Sequence, residues 1–239
     1  MSGHSKWSKV KHQKAVTDVV KGAAFTKASR AITVAVTEGG GVTDPNHNFH
    51  LRLAIEAART VNMPNATIER AIERGSGADA QALERVLYES FGPGGAAVLI
   101  DAATDNKFRT VAQVKQIITR HGGSVATPGA VQYLFTRKGF ITVRNVGISE
   151  DEFLTHAVDA GASDISVRVD AYDAYTEPAD LPSVAAKLTA MGLSVVDSGH
   201  VWKSTVSIQL DGANAKSLAS LRSELEALDD VQHVYDNAA

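Results

Sequence analysis

The residues of this chain best suited to chemistry are cations, and they stand together. Between Met1 and Arg30 lie Lys6, Lys9, Lys11, Lys14, Lys21, Lys27 and Arg30, against one acid, Asp18. The chemistry open to such a run is neutralisation of a polyanion. Lysine contacts phosphate strongly and without reading sequence, and it releases counterions as it does so. His4, His12 and Trp7 sit among the lysines, and an indole can stack on an unpaired base. The blander reading is a solvated helix face that needs no partner. Three features weigh against it. Compensating acids are missing, so i,i+4 salt-bridge lacing does not explain the cations. Trp7 lies within the run, and Arg52, Arg59, Arg70 and Arg74 carry the positive character onward. The candidate nucleic-acid contacts are therefore His4, Lys6, Trp7, Lys9, Lys11, His12, Lys14, Lys21, Lys27 and Arg30.

Other chemistries find little support. The absence of cysteine removes disulfides, thiolate metal sites and thiol nucleophiles together. Gly92-Pro93-Gly94-Gly95 lacks the Gly-Lys-Ser/Thr of a phosphate loop, and Pro93 removes a backbone donor, so a turn is the expectation. His47 and His50 have near-metal spacing but no carboxylates or thiolates beside them in sequence, and two surface histidines are expected. No catalytic residue, metal ligand or cofactor is expected, and the chain does not read as an enzyme. Asp159, Asp164, Asp170, Asp173, Glu177 and Asp180 make the 137–204 stretch anionic. A solubilising surface is the preferred reading of it; a patch that mimics nucleic acid is the minor one.

These residues must be positioned by something. Residues 1–76 hold 11 Lys+Arg and 6 Asp+Glu, while residues 77–239 hold 13 and 21, so the net charge of −3 conceals two electrostatic halves. The balance of apolar and charged residues is that of an ordinary globular chain. No apolar run approaches the ~18 residues of a membrane span, and Asp18, Lys21 and Gly22 interrupt any signal-like core. No membrane partner is expected, and the cytoplasm is the expected compartment.

The apolar rhythm at Val16, Val19, Val20, Ala23 and Ala24 predicts a helix with Lys11, Lys14 and Lys21 on its outer side. That phase does not accommodate Lys9, so Met1 to about Lys9 is expected to be a mobile arm, with the helix starting near Ser8 to His12. Phe25, Ala28, Ile32, Ala35 and Val36 continue the rhythm until Gly39-Gly40-Gly41. Further helices are expected from Asp44-Pro45 to Val61 and through Ile68, Ala71 and Ile72. After Gly77 short strands and helices mix. Strands are predicted at Val86–Ser90, Ala96–Ala102, Ala130–Phe135, Ile141–Arg144, Ile165–Val169, within Leu193–Trp202, at Thr205–Leu210 and at Val231–Tyr235. Helices are predicted at Phe108–His121, after the capping box Ser149-Glu150-Asp151-Glu152, at Asp180–Met191 and around Leu218, Leu221 and Leu225. The expected fold class is multidomain α+β: an all-helical N-terminal domain (1–76), then two α+β, ferredoxin-like sandwiches, one inserted in the other. The discontinuous one would take 77–136 with 205–239, and the acidic insert 137–204.

Several motifs in order, Gly3-His4-Ser5-Lys6-Trp7, Lys11-His12-x-Lys14, Phe25-Thr26-Lys27 and Glu38-Gly39-Gly40-Gly41, resemble the N-terminus of the YebC/PmpR family. The likeness continues through Leu51-Arg52-Leu53-Ala54-Ile55, Asn62-Met63-Pro64, Tyr88-Glu89, Gly92-Pro93-Gly94-Gly95, Thr104-Asp105-Asn106, Arg109-Thr110-Val111 and Leu228-Asp229-Asp230-Val231. It departs at Asn65-Ala66-Thr67, where the family often has Lys-Asp-Asn, and at Lys107-Phe108, where it has a more polar, basic run. The resemblance implies a cytoplasmic protein of three domains. It also implies a DNA-binding transcriptional regulator, as bacterial members are regarded, or a translation factor acting at the ribosome, as in the mitochondrial branch and in relatives linked to proline-dependent stalling. The expected partner is nucleic acid, DNA or rRNA, with the ribosome as a candidate; the oligomeric state is open.

Overall fold

A computed structural model describes residues 22–77, 83–145 and 147–239. The expected mobile arm and the helix start near Ser8 to His12 lie outside these residues. Three helices come first: α1 over 22–38, α2 at Phe49–Thr60 and α3 at Asn65–Ser76. Their apolar stripes meet in one core of Ile32, Ala35, Val36, Leu51, Ile55, Ala58, Met63, Ile68 and Ala71, with Phe25 and Ala28 packed at its edge. The glycines end α1, where the Gly41 N–H reaches back to the Val36 carbonyl at 2.9 Å. Helix α2 starts later than Asp44-Pro45 predicts. Asp44 Oδ1 accepts from the Asn46 N–H and holds a turn, and Asn48 becomes the cap, its Oδ1 accepting from the Leu51 N–H at 3.0 Å. The buried Asn48 amide also donates to the carbonyls of Ala35 and Val42, joining the end of α1 to the start of α2.

The remaining elements are β1 (Glu84–Phe91), β2 (Ala97–Thr104), α4 (Lys107–Arg120), β3 (Ser124–Val125), β4 (Phe135–Arg144), α5 (Glu150–Ala160), β5 (Asp164–Val167), β6 (Ala171–Thr176), α6 (Leu181–Ala190), β7 (Val195–Ser204), α7 (Gly212–Glu226) and β8 (Val231–Asp236). They form two four-stranded sheets, β3-β1-β2-β8 and β5-β6-β4-β7. All of the second sheet lies in sequence between β3 and β8 of the first. The fold is α+β, a helical N-terminal region followed by two sheets with helices, as the sequence predicts. The β4-α5-β5-β6-α6-β7 order, antiparallel throughout with β4 and β6 central, is the ferredoxin-like arrangement.

Element boundaries differ in instructive places. The strands predicted at Ala130–Phe135 and Ile141–Arg144 are replaced by a 3-10 turn at Gln132–Leu134 and one long β4. Strand β6 is not predicted. Thr205–Leu210 forms no strand and makes only a bridge from Ile208 to Ala238. Ser149 and Glu152 do form the capping box of α5. Gly92-Pro93-Gly94-Gly95 is a 3-10 turn, closed by the Gly92 N–H on the Ala96 carbonyl at 2.7 Å.

By packing, the chain divides into two compact units. One holds the described residues up to Val86 with Asp101–Thr110 and Ser223–His233; the other holds Leu87–Ile100, Val111–Arg222 and Val234–Ala239. In the second unit the Glu89 carboxylate is held by three backbone donors, the N–H groups of Gly129, Val131 and Gln132. Burial pushes its pKa up, but those three donors outweigh burial and leave it below the ordinary value.

Candidate nucleic-acid interface

Of the ten candidate contacts, His4, Lys6, Trp7, Lys9, Lys11, His12, Lys14 and Lys21 lie outside the described residues. Lys27 and Arg30 lie on α1, and both are engaged within the protein. Lys27 Nζ donates to the backbone carbonyl of Glu226. Burial lowers its pKa, while the carboxylates of Glu226 and Asp229 oppose that shift.

Arg30 has a larger part. Its guanidinium donates to the Ala103 carbonyl at 3.0 Å and pairs with the Asp230 carboxylate. Asp230 is almost wholly buried and is shared. Arg109 Nη2 approaches its two oxygens at 3.1 and 2.8 Å, and the hydroxyls of Thr110 and Thr104 lie 2.6 and 3.2 Å from Oδ2. Arg109 also holds Asp105 at 2.6 Å, and Asn106 Oδ1 accepts from the Arg109 N–H as α4 begins. One backbone bond, from the Ala103 N–H to the Asp230 carbonyl at 2.8 Å, fixes the register. Two guanidinium groups and two hydroxyls thus satisfy a carboxylate that could not be buried alone.

The segments Thr104-Asp105-Asn106, Arg109-Thr110 and Asp229-Asp230 therefore converge on one ion cluster, and that cluster grips α1 through Arg30. Burial lowers the Arg30 pKa, and Asp105 and Asp229 work against it. The arrangement positions the helix that follows the lysine-rich stretch in sequence. Sequence reasoning missed Asp230, Arg109, Thr104 and Thr110 as its anchors, because a shared carboxylate joins positions too far apart in sequence for any local spacing to register.

The charge is also redistributed. Residues 22–76 carry six Lys+Arg and five Asp+Glu, so four of the five net positive charges of the first 76 residues come from Lys6, Lys9, Lys11, Lys14 and Lys21 against Asp18. On α2 and α3, Arg52, Arg59, Arg70 and Arg74 are exposed; Arg52 lies over the Phe49 ring at 5.1 Å, and Arg70 Nε donates to the Ala66 carbonyl. His47 pairs with Asp44 at 2.8 Å, and no group of three or more potential metal ligands occurs among the described residues. No helix among them is long and apolar enough to cross a membrane.

A helical N-terminal region followed by two sheets with helices is an arrangement that known proteins share. Residues 5–78 match the family model for the TACO1/YebC protein N-terminal domain, and residues 83–238 match the model for the TACO1/YebC second and third domain. The chain belongs to the TACO1/YebC family. It is 44% identical over 242 residues to a protein of Roseiflexus castenholzii named probable transcriptional regulatory protein, with 99% of this chain and 94% of that one covered. It is likewise 44% identical to a protein of the same name from Acidothermus cellulolyticus, covering 99% and 96%. The crystal structure of a conserved hypothetical protein from Aquifex aeolicus superposes with a TM-score of 0.86 at 39% identity, over 91% of this chain and 90% of that one.

Proposed function

We propose that this chain is a non-enzymatic, nucleic-acid-binding regulator of gene expression. The observation that carries the reading is the run Lys6, Lys9, Lys11, Lys14 and Lys21 against a single acid, next to a helix whose own cations Lys27 and Arg30 are used to clamp it. The lysines neutralise phosphates, and Trp7 with His4 contacts bases or sugar. The relatives named probable transcriptional regulatory protein support DNA as the target. A second reading, an rRNA-bound translation factor, is favoured by the chemistry of the run, since lysine–phosphate contacts are sequence-blind and orient rather than specify.

The test is a charge reversal, Lys11→Glu with Lys14→Glu and Lys21→Glu, measured against duplex DNA and rRNA. The salt-sensitive component of binding to both is expected to be lost, and unchanged affinity for both would sink the proposal. Promoter footprinting set beside ribosome co-sedimentation then separates the two targets.

A further inference from the structure

The second sheet has two unlike faces. On one, Tyr172 stacks on Phe153 of α5 with centroids 4.7 Å apart, and Gly139 lies against Leu181 of α6, so Ile141, Val143 and Ala174 are buried beneath the two helices. Side chains alternate along a strand, so the opposite face carries Lys138, Phe140 and Thr142 of β4 with Asp173 and Tyr175 of β6. Phe140 and Tyr175 are direct cross-strand partners on the two central strands, and both are partly exposed. On the other side, Phe140 pairs with Gly199 of β7. A Cβ there would come within 3.0 Å of Phe140 Cε1, so the ring rests on the β7 backbone where only a hydrogen leaves it room. Lys203 Nζ stands 4.1 Å over the Tyr175 ring, showing that this ring face accepts a partner.

We infer that this face is a second nucleic-acid site, a stacking platform for single-stranded RNA in which successive bases lie on Phe140 and Tyr175. Opposed residues on neighbouring strands sit close enough for two adjacent bases to be served. A four-stranded sheet with aromatics on its helix-free face is a physical solution to reading unpaired bases. The surrounding charge selects the partner. Lys203 pairs with Asp164, Arg168 with Asp173 at 2.9 Å, and Lys138 with Glu177 at 2.5 Å, so the face is nearly neutral. It has little to offer the phosphates of a duplex. Asp164 and Ser166 of β5, opposite Tyr175 and Asp173, instead present carboxylate and hydroxyl oxygens, which accept from a ribose 2′-hydroxyl and from base amines; DNA lacks the first of these donors. The site does not depend on the N-terminal lysines.

The experiment uses the full chain and a fluorescein-labelled, mixed-sequence RNA octamer, with its DNA counterpart, in the wild type and in the Lys11→Glu, Lys14→Glu, Lys21→Glu background. Phe140→Leu with Tyr175→Leu keeps apolar volume and removes the rings; it should weaken RNA octamer binding about tenfold or more in both backgrounds. Phe140→Tyr with Tyr175→Phe keeps both rings and should stay within about twofold of its parent. Ultraviolet cross-links should map to Phe135–Arg144 and Ala171–Thr176. Undiminished binding by the leucine variant, or cross-links confined to residues 1–30, would overturn the site. Equal affinity for the DNA octamer would overturn its assignment to RNA. If the triple charge reversal abolishes duplex binding while octamer binding persists, both proposals stand; the leucine variant tests the platform alone.

Discussion

The lysine run and the face of the second sheet offer nucleic acid opposite kinds of contact. In the first, five lysines face one aspartate and one tryptophan. In the second, two aromatic rings are set in direct register, and the cations around them are tied to carboxylates. The first is charge in excess, and the second is shape with its charge cancelled. Uncompensated charge gives reach, salt sensitivity and indifference to sequence, whereas stacking gives contact with bases that must already be unpaired.

Salt gives the widest separation between the two. If each of the five lysines neutralises one phosphate, raising salt from about 50 to about 200 mM should weaken duplex DNA binding by roughly 10²–10³-fold. Over the same range, RNA octamer binding by the Lys11→Glu, Lys14→Glu, Lys21→Glu variant should fall by less than about tenfold. Fluorescence anisotropy titrations at four salt concentrations measure both slopes. Parallel slopes would erase the contrast.

Stability sharpens the comparison from another side. Asp230→Asn leaves Arg30 and Arg109 facing a neutral amide at a buried site, and a loss of about 3 kcal/mol is expected, the lower end for a broken buried pair because Arg109 is partly exposed. Asp164→Asn breaks an exposed pair with Lys203, for which less than about 1 kcal/mol is expected. Urea unfolding of the two variants decides it, and similar losses would mean that the Asp230 cluster does not clamp α1 as its geometry implies.

Glu89 gives a smaller, pH-dependent effect. Its folded pKa is depressed, so its contribution to stability is fully present above the unfolded value of roughly 4.3 and fades as pH falls through the lower folded value. Glu89→Gln should cost about 1–3 kcal/mol at neutral pH, since an amide leaves part of the three-donor cradle unmet. The deficit should shrink as the pH is taken below about 4. A deficit that is constant with pH would assign Glu89 a packing role instead.

How much of this was legible in the sequence follows the same division. The helices of the N-terminal region announce themselves through the 3.6-residue rhythm of Ile32, Ala35, Val36, Leu51, Ile55 and Ala58, which form its core. The capping box at Ser149 was equally plain because cap chemistry is local. The second sheet was harder. The predicted strands stop at Phe135 and resume at Ile141, yet Gly139 stands inside β4, where a Cβ would come within 2.3 Å of Thr176 Oγ1. Strand β6 is Ala-Tyr-Asp-Ala-Tyr-Thr, and its two alanines and central aspartate carry weak strand preference. Its pairing with β4 and β5 makes it a strand, with Asp173 on the outer face taking up Arg168 and Thr142. With β6 unseen, Tyr175 could not be placed opposite Phe140, and the aromatic pair stayed hidden.

Lys203 offers the finest test. In the lysine run, every cation removed should weaken binding, because five lysines stand against a single acid. Lys203 differs: Asp164 already offsets its charge, and its ammonium occupies the Tyr175 ring face that a base would take. The ammonium–ring contact at a partly exposed site is worth only about 0.5–1 kcal/mol, so a base can displace it. Lys203→Met removes the competitor and keeps the aliphatic stem. RNA octamer affinity should therefore hold or tighten, by at most about threefold, if the lost contact contributes a few tenths of a kcal/mol. Lys14→Met in the same assay against duplex DNA should weaken binding by a few-fold through the loss of one phosphate contact. Anisotropy titrations at one fixed salt concentration give both signs. If Lys203→Met weakens octamer binding as Lys14→Met weakens duplex binding, then the sheet face binds by charge as well, and the contrast between the two regions fails.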